Sequence, residues 1–301
     1  MKAQMERLGL GCAPLGGLYR DIGDAEAHSV VETALEQGIR LFDTAPAYGN
    51  GASERRLGEA LSGAPDVVVS TKVGHVVTDD GDSRWDVSGE GIRRSVELSL
   101  RRLRLDRVGI LLLHDPQSAP GDLGEVLETG LGTLAELRTE GVVDRIGIGT
   151  ANLAAHHAAL RSGLVDVAMV SGQAQLMGTG ALPELLPALE SAGVSVLNVA
   201  VLATGLLAQP WPPDDAKWEY SPAPAKHLEL ARRLARRCDE SGVELPTAAL
   251  RFAATQRAVA WVVAGASTPD HVRQLCRRFT ADVPPGLLEE LAGIVEEGSI
   301  T

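Results

Sequence analysis

Aromatic side chains are scarce in this chain of 301 residues, which has four Trp, three Tyr and three Phe. Any tyrosine used in chemistry must therefore be Tyr19, Tyr48 or Tyr220. Cysteine is rarer in proportion, and Cys12, Cys238 and Cys276 are odd in number, far apart and unmatched to any metal-ligand spacing. That excludes a disulfide framework, implies no metal site, and fits a reducing compartment. Positive charge is also short, with 28 basic against 40 acidic residues and a net charge of −12. Phosphate backbones are held by clustered Lys and Arg, so a nucleic-acid partner is not expected. The Arg-rich stretches 93–107 and 232–237 lie at helical spacing beside acids and read as solvated helix faces rather than a binding patch. No apolar run approaches the ~18 residues of a membrane span, and the N-terminal Met-Lys-Ala-Gln-Met-Glu-Arg lacks the apolar core of a signal peptide. The expectation is a cytoplasmic protein with no membrane partner, a monomer or small homo-oligomer.

What is present is a globular composition, 45% hydrophobic and 23% charged with 33 glycines. Short β-branched or apolar runs starting near Arg7, Arg40, Asp66, Val108, Val143, Asp166, Ser195 and Val259 alternate with helical patterns at about 25–40, 52–62, 88–104, 122–140, 152–162, 182–192, 226–255 and 268–280. Asp24 and Ser88 read as N-caps, and Gly38, Gly141 and Gly193 as left-handed C-terminal residues. Eight strand-then-helix units without a break in composition favour one (β/α)8 TIM barrel domain over 1–301 rather than an open doubly wound sheet. The last interval between strand starts, about 64 residues, is longer than the others. Its excess holds Gln209-Pro-Trp-Pro-Pro-Asp-Asp and Trp218-Glu-Tyr-Ser-Pro-Ala-Pro. Long loops in compact domains are usually functional or disordered, and in a barrel the loops after strands lie on the catalytic face. Trp211, Trp218 and Tyr220 make a substrate lid the favoured reading over a plain excursion.

Asp43, Lys72 and His114 each end a candidate strand, and Tyr48 follows Asp43 by five residues, so all four should converge on one mouth. Singly each has a bland explanation, as a helix cap, a snorkelling lysine or a core histidine. Together they make a tuned acid/base. A free tyrosine has a pKa near 10, and a neighbouring ammonium shifts it toward neutrality by about 1 to 3 units. Lys72 can supply that charge, Asp43 can orient Lys72, and His114 can hold a substrate oxygen. Such a group acts on a carbonyl or an alcohol.

The runs Gly9-Leu-Gly-Cys-Ala-Pro-Leu-Gly-Gly, Asp43-Thr-Ala-Pro-Ala-Tyr-Gly, Ser53-Glu, Leu57-Gly, Ser70-Thr-Lys-Val-Gly and Leu112-Leu-His-Asp-Pro resemble the aldo-keto reductase superfamily across nearly the whole chain. The resemblance implies a barrel that binds NAD(P)H extended, without a Rossmann domain, with Tyr48 as general acid/base and Asp43, Lys72 and His114 as its partners. Trp85-Asp-Val-Ser, His114-Asp-Pro, Tyr220-Ser-Pro-Ala-Pro, Pro246-x-x-Ala-Ala-Leu-x-Phe and Gly265-Ala-x-Thr-Pro-Asp-x-Val resemble the aldose 1-dehydrogenase branch. That branch oxidises a cyclic hemiacetal to a lactone, and Trp85 joins the lid residues around the substrate.

The same resemblance assigns cofactor contacts to Asp43, Thr150, Gln173, Asn198, Gly205, Gly265, Ser267, His271 and Arg273. Gln173 matches the family's glutamine. Gly149-Thr150-Ala151-Asn152 replaces its usual Ser-Asn, and Asn198 stands where an aromatic often stacks. Gly265 and His271 occupy the places of a Lys and an Arg that hold a 2′-phosphate, and Leu275 that of an adenine-contacting Asn. A 2′-phosphate wants paired cations, so NAD is expected over NADP, with Arg273 able to reverse the choice. Backbone amides of Gly16-Gly17 and Gly265-Ala266 are the expected means by which an acidic protein holds an anionic dinucleotide. Three alternatives stand beside sugar oxidation. One is a reductase of an aldehyde or ketone in a biosynthetic pathway, and another is a nicotinamide-binding regulatory subunit. A metal-dependent hydrolase is disfavoured because Cys12-Ala-Pro sits where a His-x-His is needed and His156-His157 reads as an exposed turn at a helix start.

Overall fold

The computed structural model describes residues 2–298 apart from 19, 79, 80 and 220. The apolar runs form eight parallel strands, β1 (Leu8–Gly11), β2 (Leu41–Asp43), β3 (Val68–Val73), β4 (Val108–His114), β5 (Val143–Thr150), β6 (Val167–Ser171), β7 (Ser195–Val199) and β8 (Val259–Gly265). Each pairs with the next, and β8 returns to β1 through Leu8 opposite Val262, closing a barrel. The expected fold class is therefore the observed one. Aliphatic side chains fill the interior, among them Leu41, Ile110, Leu112, Val167, Met169, Leu197 and Val263. Layers of branched side chains make such a barrel a packed core, so chemistry is confined to its mouth.

Around it lie α1 (Asp24–Glu36), α2 (Ala52–Ala60), α3 (Gly89–Leu103), α4 (Leu123–Thr139), α5 (Leu153–Leu160), α6 (Leu185–Ser191), α7 (Ala225–Glu240), α8 (Leu245–Thr255), α9 (Pro269–Thr280) and α10 (Leu287–Gly298). Ser88 caps α3 by accepting from the Gly91 amide at 3.1 Å. Gly38, Gly141 and Gly193 all take left-handed φ values of +92°, +80° and +70° just past their helices. Asp24 does not cap α1. Gly23 holds that place, and the Asp24 carboxylate instead receives Arg55 at 2.9 Å and Arg56 at 2.8 Å.

The helix expected over 226–255 is two helices. Gly242 at φ +68° reverses the chain after α7, and Pro246 in the first turn of α8 lacks the amide a continuous helix needs. The pattern also hid α10 and a hairpin of His75–Val77 with Ser83–Trp85 that stands above β3. α7, α8 and α10 share a second apolar cluster with Leu206, Leu207 and Ala216, which belong to the long loop after β7. The base of that loop is thereby pinned to the barrel wall.

Candidate active site

Barrel closure brings Asp43, Lys72 and His114, from three consecutive strands, to one rim together with Tyr48. The Lys72 Nζ lies 2.9 Å from both Asp43 carboxylate oxygens and donates to the Thr44 carbonyl at 2.7 Å. Ser70 Oγ donates to Asp43 Oδ1 at 2.9 Å. Both charged groups are buried, with Lys72 1% and Asp43 4% exposed. Burial penalises the Lys72 ammonium, yet Asp43 and Tyr48 more than offset it, and the lysine is held above its ordinary pKa. The ammonium sits 4.9 Å from the Tyr48 ring centroid, and the His114 imidazole meets that ring edge-on at 6.3 Å and 89°.

Local backbone geometry places the tyrosine. Gly49, Asn50 and Gly51 all have positive φ, which curls the chain after Tyr48, and the Ser53 amide donates to the Tyr48 carbonyl at 3.2 Å. Ser53 Oγ donates to the Cys12 carbonyl at 2.7 Å and lies 2.9 Å from Thr44 Oγ1, tying α2 to the ends of β1 and β2. The buried Glu54 receives Thr71 Oγ1 at 2.6 Å and the Arg102 guanidinium at 2.8 Å. The Ser53-Glu54 pair is thus a brace between strands and helices.

Gly16 and Gly17 are outside the lining of the neighbouring cavity. Gly16 lies against the tyrosine's backbone instead, where a Cβ would sit 2.6 Å from the Tyr48 carbonyl carbon. Gly16→Ala must displace the loop that carries Tyr48. Misplacing a reacting group by about 1 Å can cost 100-fold, so kcat is expected to fall by about 30- to 100-fold. Steady-state rates alongside an unchanged far-ultraviolet dichroism spectrum check this. Retention of half the wild-type kcat would show that the loop yields without moving the tyrosine.

A cavity of about 620 Å³ runs from Asp43 and Tyr48 past Met169, Val199 and Leu202 to Gly265, Ser267 and His271. Its size lies within the range of small-molecule and cofactor sites. The polar groups at its two ends, the Asp43–Tyr48 rim and the Ser267–Arg278 end, fit a long ligand that is reactive at one end and hydrogen-bonding at the other. Among the sequence-assigned cofactor residues, Asp43, Gly205, Gly265, Ser267 and His271 line it. Thr150, Gln173, Asn198 and Arg273 do not. Thr150 Oγ1 donates to Gln117 Oε1 at 2.9 Å. Asn198 is buried and donates to the carbonyls of Ala174 at 2.6 Å and Ala253 at 3.2 Å, joining β7 to its neighbours. Arg273 turns away to Asp270 at 2.8 Å. The cation at the cavity wall is Arg278, which also holds Glu244 at 2.7 Å. His271, Gln274 and Arg278 are spaced i, i+3, i+7 on α9, a helical repeat legible in the sequence once the inward face is known.

Trp85, Trp211 and Trp218 do not line this cavity. Trp85 stacks on His75 at 5.1 Å in the hairpin, Trp218 packs on His227 at 4.6 Å, and Trp211 is 50% exposed with the Arg232 guanidinium 5.9 Å from its ring. Tyr220 lies outside the described residues. His156, expected on an exposed turn, is buried within α5 with Nε2 3.0 Å from the Thr150 carbonyl. Asn152 caps α5 from one turn earlier, which carries the histidine inward.

Burial, with the Lys72 charge adding to it, pushes the His114 imidazole down to about 4, and burial pushes His156 to about 4. Both are neutral near pH 7, so His114 acts as a neutral hydrogen-bonding group. Because the unfolded chain protonates near 6.5, it binds more protons than the fold as pH drops below that value. The stabilisation from these neutral histidines is full above pH 6.5 and is lost toward pH 4. Urea midpoints are expected to fall between pH 6.5 and 5, less steeply in His156→Leu. Equal slopes in both proteins would remove His156 as a contributor.

A partly open cavity of about 620 Å³ that ends at a buried lysine–aspartate pair and a tyrosine, at the strand C-termini of a barrel, describes a class of carbonyl–alcohol oxidoreductase. The chain belongs to the aldo/keto reductase family, whose model matches residues 7–293. It is 38% identical over 306 residues to a D-threo-aldose 1-dehydrogenase of a Pseudomonas species, covering 95% of this chain and 92% of that protein. It is 30% identical to the L-galactose dehydrogenase of Arabidopsis thaliana, covering 97% and 90%. Among solved structures, the holo form of an aldo-keto reductase from Bacillus halodurans superposes with a TM-score of 0.79 at 27% identity, covering 97% of this chain and 91% of that one.

Proposed function

We propose that this protein oxidises the anomeric carbon of an aldose to a lactone, using NAD in preference to NADP, within one barrel domain that spans the chain. The observation that carries the chemistry is the Lys72 ammonium held between Asp43 and Tyr48. The similarity to an aldose 1-dehydrogenase supports the substrate class.

A bound nicotinamide dinucleotide supplies the hydride chemistry. Its polar end would be held by Ser267, His271, Gln274 and Arg278, and its reactive end would lie toward Asp43 and Tyr48. Tyr48 takes the proton from the anomeric hydroxyl at its phenolic oxygen, and returns it to a carbonyl oxygen in the reverse direction. Lys72 favours the phenolate through its charge, and Asp43 fixes Lys72 with a bidentate contact. His114, neutral and edge-on to the tyrosine, orients the substrate oxygen. The apolar wall of Met169, Val199 and Leu202 excludes water from this end. Trp85, Trp211 and Trp218 would border the sugar from outside the cavity, and Tyr220 completes the proposed lid.

The NAD preference is supported by Gly265 and His271 standing where a Lys and an Arg would hold a 2′-phosphate, although Arg278 lines the polar end and Arg20, itself paired with Glu26, donates to the Ser267 carbonyl at 2.6 Å. Three buried, unpaired cysteines support a cytoplasmic site of action. A second reading, reduction of an aldehyde or ketone intermediate, is favoured by the apolar cavity wall. Steady-state rates with NAD⁺ or NADP⁺ and aldoses of the L-galacto, L-fuco and D-threo series, set against NADH or NADPH with aromatic aldehydes, separate the two. Aldose oxidation at a kcat/KM at least tenfold above aldehyde reduction is expected, and the opposite order would replace the first reading by the second.

A further inference from the structure

Beside His114 stands a carboxylate that the proton transfer does not use. Asp115 Oδ2 lies 3.8 Å from His114 Nε2. That separation is too long for a direct hydrogen bond. The Asp115 side chain is 41% exposed, so the carboxylate opens to the mouth of the barrel while the imidazole beside it is more enclosed at 20%.

The position of this carboxylate is over-determined. Asp115 has left-handed backbone angles of φ 39° and ψ 55°, unusual for a residue with a side chain. Its amide donates to the Gly149 carbonyl at 2.9 Å, its carbonyl accepts from the Ser118 amide at 2.8 Å, and Pro116 follows directly. Oδ1 accepts from Gln117 Nε2 at 3.3 Å, and the Gln117 amide oxygen accepts from Thr150 Oγ1 at 2.9 Å. One carboxylate oxygen is therefore tied back to β5 while the other is aimed past His114. Backbone strain kept in place by several independent bonds is found where geometry serves a site. The hairpin that follows β3 holds His75, with the Trp85 ring tilted against it at 5.1 Å.

We propose that Asp115 determines specificity by accepting a hydrogen bond from the hydroxyl next to the reacting carbon, so that the site prefers hydroxylated carbonyl compounds to their deoxy analogues. This rests on the proposed aldose reading for its natural substrate. The hydroxyl donates to Oδ2, while Tyr48 and His114 hold the reacting oxygen. A carboxylate acceptor makes this bond charge-assisted. A substrate without the hydroxyl leaves Oδ2 without that donor, and sites built to bind a substrate hydroxyl discriminate against analogues that lack it.

The test uses the full-length enzyme with reduced cofactor and compares kcat/KM for glyceraldehyde with that for propanal, which lacks the hydroxyls. Two variants are measured. Asp115→Asn keeps the shape and tolerates the left-handed backbone, and Asp115→Gly removes the side chain at a φ that glycine adopts freely. Wild type should prefer glyceraldehyde at least 30-fold. That ratio should fall at least tenfold in Asp115→Gly and about threefold to tenfold in Asp115→Asn, with the loss carried by the glyceraldehyde KM. An unchanged ratio overturns the proposal. So does a loss of kcat that is equal for both substrates and accompanied by a shifted pH profile, because Asp115 would then act only by positioning His114. Failure of wild type to oxidise any aldose, with the Asp115-dependent glyceraldehyde preference intact, removes the aldose reading and leaves the specificity role standing. Aldose oxidation with a ratio indifferent to Asp115 does the reverse.

Discussion

Tyr48→Phe is expected to lower kcat by about 1,000-fold or more in either direction, while the dissociation constant for the dinucleotide changes by less than about threefold. Phenylalanine keeps the ring that meets His114 edge-on and that Lys72 approaches at 4.9 Å, and it removes only the oxygen that carries the proton. General acid–base catalysis is typically worth about 100- to 10,000-fold, and among the described residues Tyr48 is the tyrosine that Lys72 approaches. Cofactor affinity should be spared because the polar end of the cavity is formed by α9 and the loop before it. Steady-state kinetics together with quenching of protein fluorescence by the dinucleotide make both measurements. A variant that keeps a tenth of the wild-type rate would sink the assignment of Tyr48 as the acid/base.

Lys72→Met should combine a comparable loss of turnover with a loss of stability of about 3 to 5 kcal/mol, the usual cost of removing one member of a buried ion pair. The Lys72 and Asp43 side chains are 2% and 6% exposed, so the carboxylate left behind has little water to turn to. The double variant Asp43→Asn/Lys72→Met removes the stranded charge and should recover most of the stability but none of the activity. Because the folded pKa of Lys72 is raised, its contribution is complete below the ordinary lysine value near 10.4 and is lost only as pH climbs through the folded value. Lys72 itself therefore adds no slope near neutral pH, but burial already raises the Asp43 carboxyl beside Lys72, and without the lysine it takes up a proton more readily still, so the stability difference between wild type and Lys72→Met should shrink as pH is lowered. Urea denaturation at several pH values checks this, and a single variant as stable as wild type would show that the pair is not a stabilising contact.

Much of the barrel was legible because each strand is a short β-branched run and each following helix repeats its apolar positions with a different period. The rim residues were legible for the same reason, since a strand's last residue in a barrel faces a known end. The contacts that the sequence did not show depend on neighbours distant in sequence. Gly16 looks like part of a phosphate-binding loop until its contact with the backbone of Tyr48, 32 residues later, is seen. Arg273 and Arg278 look alike on paper, and the inward face of α9 is decided by Val272, Leu275, Cys276 and Phe279 packing against the barrel. Asn198 belongs to the interior because two carbonyls from other segments meet it there. The division at Gly242 was written in the sequence but masked by helical patterns of similar character on both sides.

By itself the sequence determined the eightfold alternation, the net acidic charge, and the four polar side chains at or just after the ends of consecutive strands. Those follow from residue type and local period, which a chain carries before it folds. Tertiary structure alone decided that Lys72 lies 2.9 Å from both oxygens of Asp43, which cations reach the cavity, and that Asp115 stands 3.8 Å from His114. The reason is that distances between strand ends are set by barrel closure and register, and the direction of each side chain by the packing of helices around it. Neither is a property of any local stretch of chain.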